Sequence, residues 1–235
     1  MAFGAEIPAP SDRLFEVVEK IREKKLFKAT PFYLPRYTLS ADSQYPGLKV
    51  LPSFWFSQQI REGRIAESAD LLPGRWIILD VSKRPNYGDG KQMYTDSNGL
   101  GEVLADLRDQ GKIEVPYYCR KVPRNSRFAV SADEIDGKSG VVVKAVASIL
   151  SLRTEEQIAT LPYVVFNYIG NLAHPEFGQV STAEWFADRF EHGDRLSGGD
   201  GDSVRGGLAR VSRWLSDDHI DGIGFRLQVS FPSKA

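Results

Sequence analysis

Few residues in this chain are equipped for catalysis. It has one cysteine, Cys119, and three histidines, His174, His192 and His219, spread over its second half. A thiolate zinc cluster needs several sulfur ligands, and a histidine-based iron site needs imidazoles that converge. This inventory argues against a resident transition metal, and no cofactor is expected. In GDGDS (Gly199 to Ser203), Asp200 and Asp202 are spaced like hard-cation ligands, but Val211 stands where an EF-hand would place its glutamate. The stretch reads as a solvated turn. No G-x-S-x-G, HExxH or P-loop pattern occurs. Asp80, in ILDVSKRPNYGDG, reads as an exposed turn partner of Lys83 or Arg84, and Cys119, in VPYYCRKV between residues that read as strand, as a small buried hydrophobe. Catalysis is left without a nucleophile and base.

Recognition is better provided for. From His192 to Leu227 the chain contains no Lys, Glu, Gln or Met, although these four types are scattered through everything before it. Apart from Trp214, every residue of that segment can be encoded by a codon ending in a pyrimidine. Small, polar and charged residues stand directly before an alternation of Phe225, Leu227, Val229 and Phe231 with Gly224, Arg226, Gln228 and Ser230. That period of two predicts a strand with one buried face. A rigid strand fixes where the preceding loop ends, so side chains there can change without moving the frame. The candidate ligand-binding residues are Ser203, Arg205, Arg210, Ser212, Arg213, Trp214, Ser216, Asp217, Asp218, His219, Asp221 and Gly222. They are expected on one exposed face, with Trp214 near its centre. Val211, Leu215, Ile220, Ile223 and Phe225 are the expected anchors, and Arg205 and Arg226 are expected to bridge buried carbonyls or carboxylates.

The elements that would position them follow from periodicity and capping. Ser11 caps a helix carrying Leu14, Val18 and Ile21. From Lys28 to Gly74 prolines alternate with aromatics, which reads as an ordered irregular segment. Arg75 to Ser82 reads as the first strand. Leu100, Val103, Leu104 and Leu107 define a helix ending at Gly111. Ser131 and Glu134 open a second helix with capping-box spacing, expected to continue through Val142, Val146 and Ile149 although Gly137 and Gly140 weaken its first turns. A short third helix is expected from Thr154, ending before Pro162. Ser181 and Glu184 have capping-box spacing, and Trp185 is expected to pack beneath the binding face.

Four elements in order, GN (Gly170, Asn171), AEWFAD (Ala183 to Asp188), VRGGLA (Val204 to Ala209) and IGFRL (Ile223 to Leu227), resemble the formylglycine-generating-enzyme-like branch of the C-type lectin fold. The resemblance covers roughly residues 161–231. It implies an α+β, C-type lectin-like fold at residues 74–235, with residues 1–73 as an N-terminal extension packed on it. The branch includes formylglycine-generating oxidases, iron enzymes of thiol-histidine synthesis, and binding proteins. The oxidases need cysteine chemistry between the RGG and GFR elements, where this chain has none. The Gln-Pro-Asp or Glu-Pro-Asn triplets of calcium-dependent sugar-binding lectins are also absent. The chain resembles a diversity-generating retroelement variable protein, in which adenine-directed mutagenesis of Asn-type codons yields Ser, Asp, His, Gly, Arg or Tyr but not Lys, Glu or Gln. The resemblance implies a variable ligand-binding region at about residues 203–222 and a non-catalytic function. The alternatives are a metal-dependent oxidoreductase of the same branch and a receptor-binding module of fixed specificity.

Composition narrows the partner. With 30 basic and 31 acidic residues among 235 there is no field to attract nucleic acid. The N-terminus has no basic start followed by an apolar core, and no segment approaches the roughly 20 apolar residues that span a bilayer, so no membrane insertion is expected. A monomer that binds an unknown protein or surface ligand is expected, cytoplasmic by default or surface-associated by another route.

Overall fold

The computed structural model describes residues 7–83, 95–201 and 206–232. The first helix, α1 (Asp12–Glu23), is capped as the sequence predicts, the Leu14 N–H donating to Ser11 Oγ, and buries Leu14, Val17, Val18 and Ile21. Strand β1 (Ala29–Thr38) and helix α2 (Phe54–Arg61) follow, inside the stretch that proline spacing marks as irregular. Pro31 and Pro35 are tolerated in β1 because it is an edge strand of its sheet. Its partner β2 (Leu71–Asp80) starts four residues before Arg75 and runs through residues 73 and 74, so the segment expected to be an extension supplies half of this pairing.

Helix α3 (Gly99–Asp109) has Asn98 as its cap, and Gly111 follows in the left-handed region at φ 65°. Both arms of the Ser131–Glu134 capping box form at α4 (Ala132–Ile135), but the helix stops there. Gly140, at φ 54°, reverses the chain before α5 (Val141–Leu150), so the one expected helix is two. The helix expected from Thr154 is instead strand β3 (Gln157–Thr160), because these residues pair with the C-terminal strand over Gln157–Ser230 to Thr160–Leu227. Pro162 precedes α6 (Tyr163–Leu172). Then come β4 (Ala183–Arg189), β5 (Arg195–Gly198), β6 (Val211–Trp214), β7 (Ile223–Phe225) and β8 (Leu227–Ser230).

Two four-stranded sheets result, with orders β1-β2-β8-β3 and β6-β5-β4-β7, a mixed arrangement compatible with the α+β class. The first sheet lies between two cores. Ile78, Leu227 and Val229 face α1, α3 and α5, whereas Ile77 and Leu79 face α6, Tyr163 and Phe186. Covering both faces explains why β2 reads as an unbroken apolar run. The single predicted strand through GFRLQVSF is divided at Arg226, β7 joining the second sheet and β8 the first. Both sides of it are covered: Gly224 and Ser230 are buried along with Phe225, Leu227 and Val229.

Candidate functional site

The sheet crossover is held by buried charge. Arg226 lies between the two strands and donates from Nη2 and Nε to Glu184 at 2.8 and 3.2 Å, and from Nη1 to the carbonyls of Asp80 and Ser82 at 2.6 and 2.9 Å. Its guanidinium stacks 4.1 Å from the centre of the Phe177 ring. The expected bridging role is therefore observed for Arg226. Glu184, read from sequence as a helix cap, lies in β4 and is this ion-pair partner, because its strand pairs on both edges.

Asp80 is not an exposed turn residue. It is fully buried and pairs with Arg127 Nη1 at 2.7 Å, and Arg127 reaches on to Asp96 at 2.7 Å. Burial alone would raise the Asp80 pKa, but the fields of Arg127 and Arg226 outweigh it and hold the carboxyl below its ordinary value. The sequence could not show this, because Arg127 is 47 residues away. Trp185 is fully buried and donates from Nε1 to the Val130 carbonyl at 3.0 Å.

The GN element pins a loop against the RGG element. Asn171 Oδ1 accepts from the Lys49 and Val50 N–H groups, both at 2.8 Å, and Asn167 Nδ2 donates to the carbonyls of Val50 and Leu208. Gly170 has no side chain because the Leu208 side chain occupies that place. A groove of about 1030 Å³ opens beside this junction, between the loop carrying Lys49, Leu51 and Phe54 and the turn Gly206–Ala209.

The candidate ligand-binding residues divide by burial. Arg210, Arg213, Trp214 and Asp217 are exposed, and Ser212, Ser216, Asp218, Asp221 and Gly222 are partly covered. Ser203 and Arg205 lie outside the described residues. In β6 consecutive side chains alternate, so Arg213 and Trp214 point to opposite faces rather than one. Arg213 lies 5.0 Å over the Phe190 ring and pairs with Asp194 at 3.2 Å. Leu215, expected as an anchor, is 58% exposed; Ile223 and Phe225 are buried, and Val211 and Ile220 pack against the cores.

His219 is not a display residue. It is 7% exposed, and its Nε2 lies 2.9 Å from Glu134 Oε2, so the α4 capping glutamate also holds the loop. Burial opposes charge on the imidazole, but the hydrogen bond and charge of Glu134 outweigh it and raise its pKa. The loop is tied down further by its main chain. Its Ser216 and Ile220 carbonyls accept from the Asp133 and Ala129 N–H groups at 2.9 and 3.3 Å, and the His219 carbonyl accepts from the Cys119 thiol at 3.4 Å.

The turn that carries Cys119 adds two exposed aromatic residues beside the loop. Tyr117 and Tyr118 are 77% and 69% exposed and stand on the turn that anchors His219. VPYYC reads as a strand, which would bury one of the pair; the 3₁₀ turn at Tyr117–Cys119 exposes both. Cys119 itself is buried, as expected, and its thiol pKa is pushed up to about 11, mainly by burial.

Among the described residues no three His, Cys, Asp or Glu side chains converge as metal ligands, and no helix is long and apolar enough to cross a membrane. Asp200 pairs with Arg210 at 3.3 Å. Comparison with family models, curated proteins and solved structures finds no match.

Proposed function

We propose that this chain is a non-catalytic ligand-binding protein, built on a C-type lectin-like scaffold, whose segment at about residues 203–222 is the diversified surface of a diversity-generating retroelement product. The observation that carries this reading is the absence of Lys, Glu, Gln and Met from His192 to Leu227. Adenine-directed change in Asn-type codons does not produce Lys, Glu or Gln. Division of labour supports it: Arg210, Arg213, Trp214 and Asp217 reach solvent while Ile223 and Phe225 fix the backbone that follows. Side chains that contribute little to a core can vary at small cost in stability. Exposed Trp and Arg are the side chains that anchor protein interfaces, so a protein or surface molecule is the class of partner.

The flanking DNA tests this. An adenine-rich near-copy of the coding sequence for residues 203–222, beside a reverse transcriptase gene, is the expected finding. A locus with neither would overturn the diversification and leave a module of fixed specificity.

A further inference from the structure

A cavity of about 420 Å³ lies where the second core meets the end of β4, and none of residues 206–222 lines it. Its polar wall is made by Arg75, Gln157, Asp188, Arg189, Gln228 and Ser230. Strand register explains how four of these meet. Ser230 is opposite both Ile77 and Gln157, so Gln157, Gln228 and Ser230 share one sheet face with Ile77 and, two residues earlier on β2, Arg75. That face is apolar at Leu34, Ile77 and Leu79, which belong to the core, and turns polar at the cavity.

A polar patch on a core-facing side of a sheet is costly unless its groups are satisfied. Here Arg75 Nε, a donor, and Gln228 Oε1, an acceptor, are both buried and have no hydrogen-bond partner among the described residues. Two arginines, Arg75 and Arg189, line the cavity with one acidic residue. That residue, Asp188, is already engaged through Oδ2 by the Tyr163 N–H at 2.6 Å. Apart from Ser68, the remaining lining residues are aliphatic. A ligand answering this wall is anionic at one end, offers a donor of its own, and has a small hydrocarbon skeleton.

We propose that this cavity binds a small carboxylate bearing a hydroxyl or amino group, its carboxylate accepting from Arg75 and Arg189 and its donor reaching Gln228 Oε1. Planar guanidiniums suit a carboxylate through paired, charge-assisted hydrogen bonds. The site is independent of the display reading, and neither depends on the other.

Isothermal titration of the full chain with lactate, malate, acetate and inorganic phosphate, at constant ionic strength, tests the proposal. Saturable binding of lactate or malate, at least about tenfold tighter than acetate, is expected, with R75Q and R189Q each weakening it about tenfold or more. Q228L should abolish the preference over acetate, and R22Q, on the exposed face of α1, should change nothing. Arg189 is exposed, so R189Q keeps the test decisive if R75Q fails to fold. Absence of saturable binding by every carboxylate, indifference to R189Q with R75Q unfolded or likewise indifferent, or phosphate binding tighter than any carboxylate would each overturn the assignment.

Discussion

Replacing Arg226 by methionine keeps an unbranched apolar stem and removes the guanidinium at the point where the chain passes from one sheet to the other. The Glu184 side chain is 1% exposed and would lose both hydrogen bonds that Arg226 donates to it. Breaking a buried pair by removing one member typically costs about 3–5 kcal/mol, because the other charge stays buried without compensation. The carbonyls of Asp80 and Ser82 would lose their Arg226 donor as well. Against a total stability of about 5–15 kcal/mol, R226M should therefore lose roughly a fifth or more of it. At about 2–4 °C per kcal/mol for a chain of this size, the Tm should fall by roughly 6–20 °C. The double variant E184L/R226M also removes the buried carboxylate and should regain much of the loss. Urea unfolding followed by circular dichroism measures all three proteins, with an unchanged m-value showing that stability alone has moved. A cost below about 1 kcal/mol for R226M, or a double variant no more stable than the single one, would refute the account of this pair.

The His219–Glu134 pair sets a pH dependence. The His219 pKa is raised above 6.5, so its contribution is full below pH 6.5 and is lost as pH rises through the folded value; that of Glu134 is lowered from 4.5, so its contribution is lost as pH falls through its folded value. The stability advantage of the wild type over H219Q should be largest between about pH 4.5 and 6.5 and shrink above it, and an advantage that grows from pH 6.5 to 9 would contradict the pairing. Changing Arg213, Trp214, Leu215 and Asp217 together to serine should cost within about 0.5 kcal/mol each, whereas Phe225→Ala should cost about 3–5 kcal/mol, both read from denaturant midpoints. Cys119, with its thiol raised to about 11, should react with an aromatic disulfide reagent at pH 8 about a hundredfold more slowly in the folded protein than in denaturant; equal rates would mean an open thiol.

Local chemistry was legible wherever it is settled within one turn or one strand. Ser11, the Ser131–Glu134 box and Gly111 were read correctly because a cap involves partners three or four residues apart. The burial of Phe225, Leu227 and Val229 followed from alternation, and Arg226 was marked as a bridge because a fork of five donors beside buried residues must find acceptors. The errors fall where a partner distant in sequence decides. Residues 157–160 follow a helical start signal at Thr154 and form a strand because β8 offers its edge, and β1 is hidden in the sequence because its prolines only make sense once it lies at the margin of a sheet. Nothing near Asp80 or Glu184 in sequence reveals Arg127 and Arg226, so local signals point to solvent and to a helix cap instead.

Apolar periodicity, helix capping and the lack of four residue types over residues 192–227 can be read along the chain. That Arg213 and Trp214 face opposite ways, that His219 is held inside by Glu134, and that Tyr117 and Tyr118 stand outside are consequences of packing. The reason is range: periodicity and capping are properties of neighbouring residues, whereas the exposure of a loop side chain depends on which surface the fold brings against it.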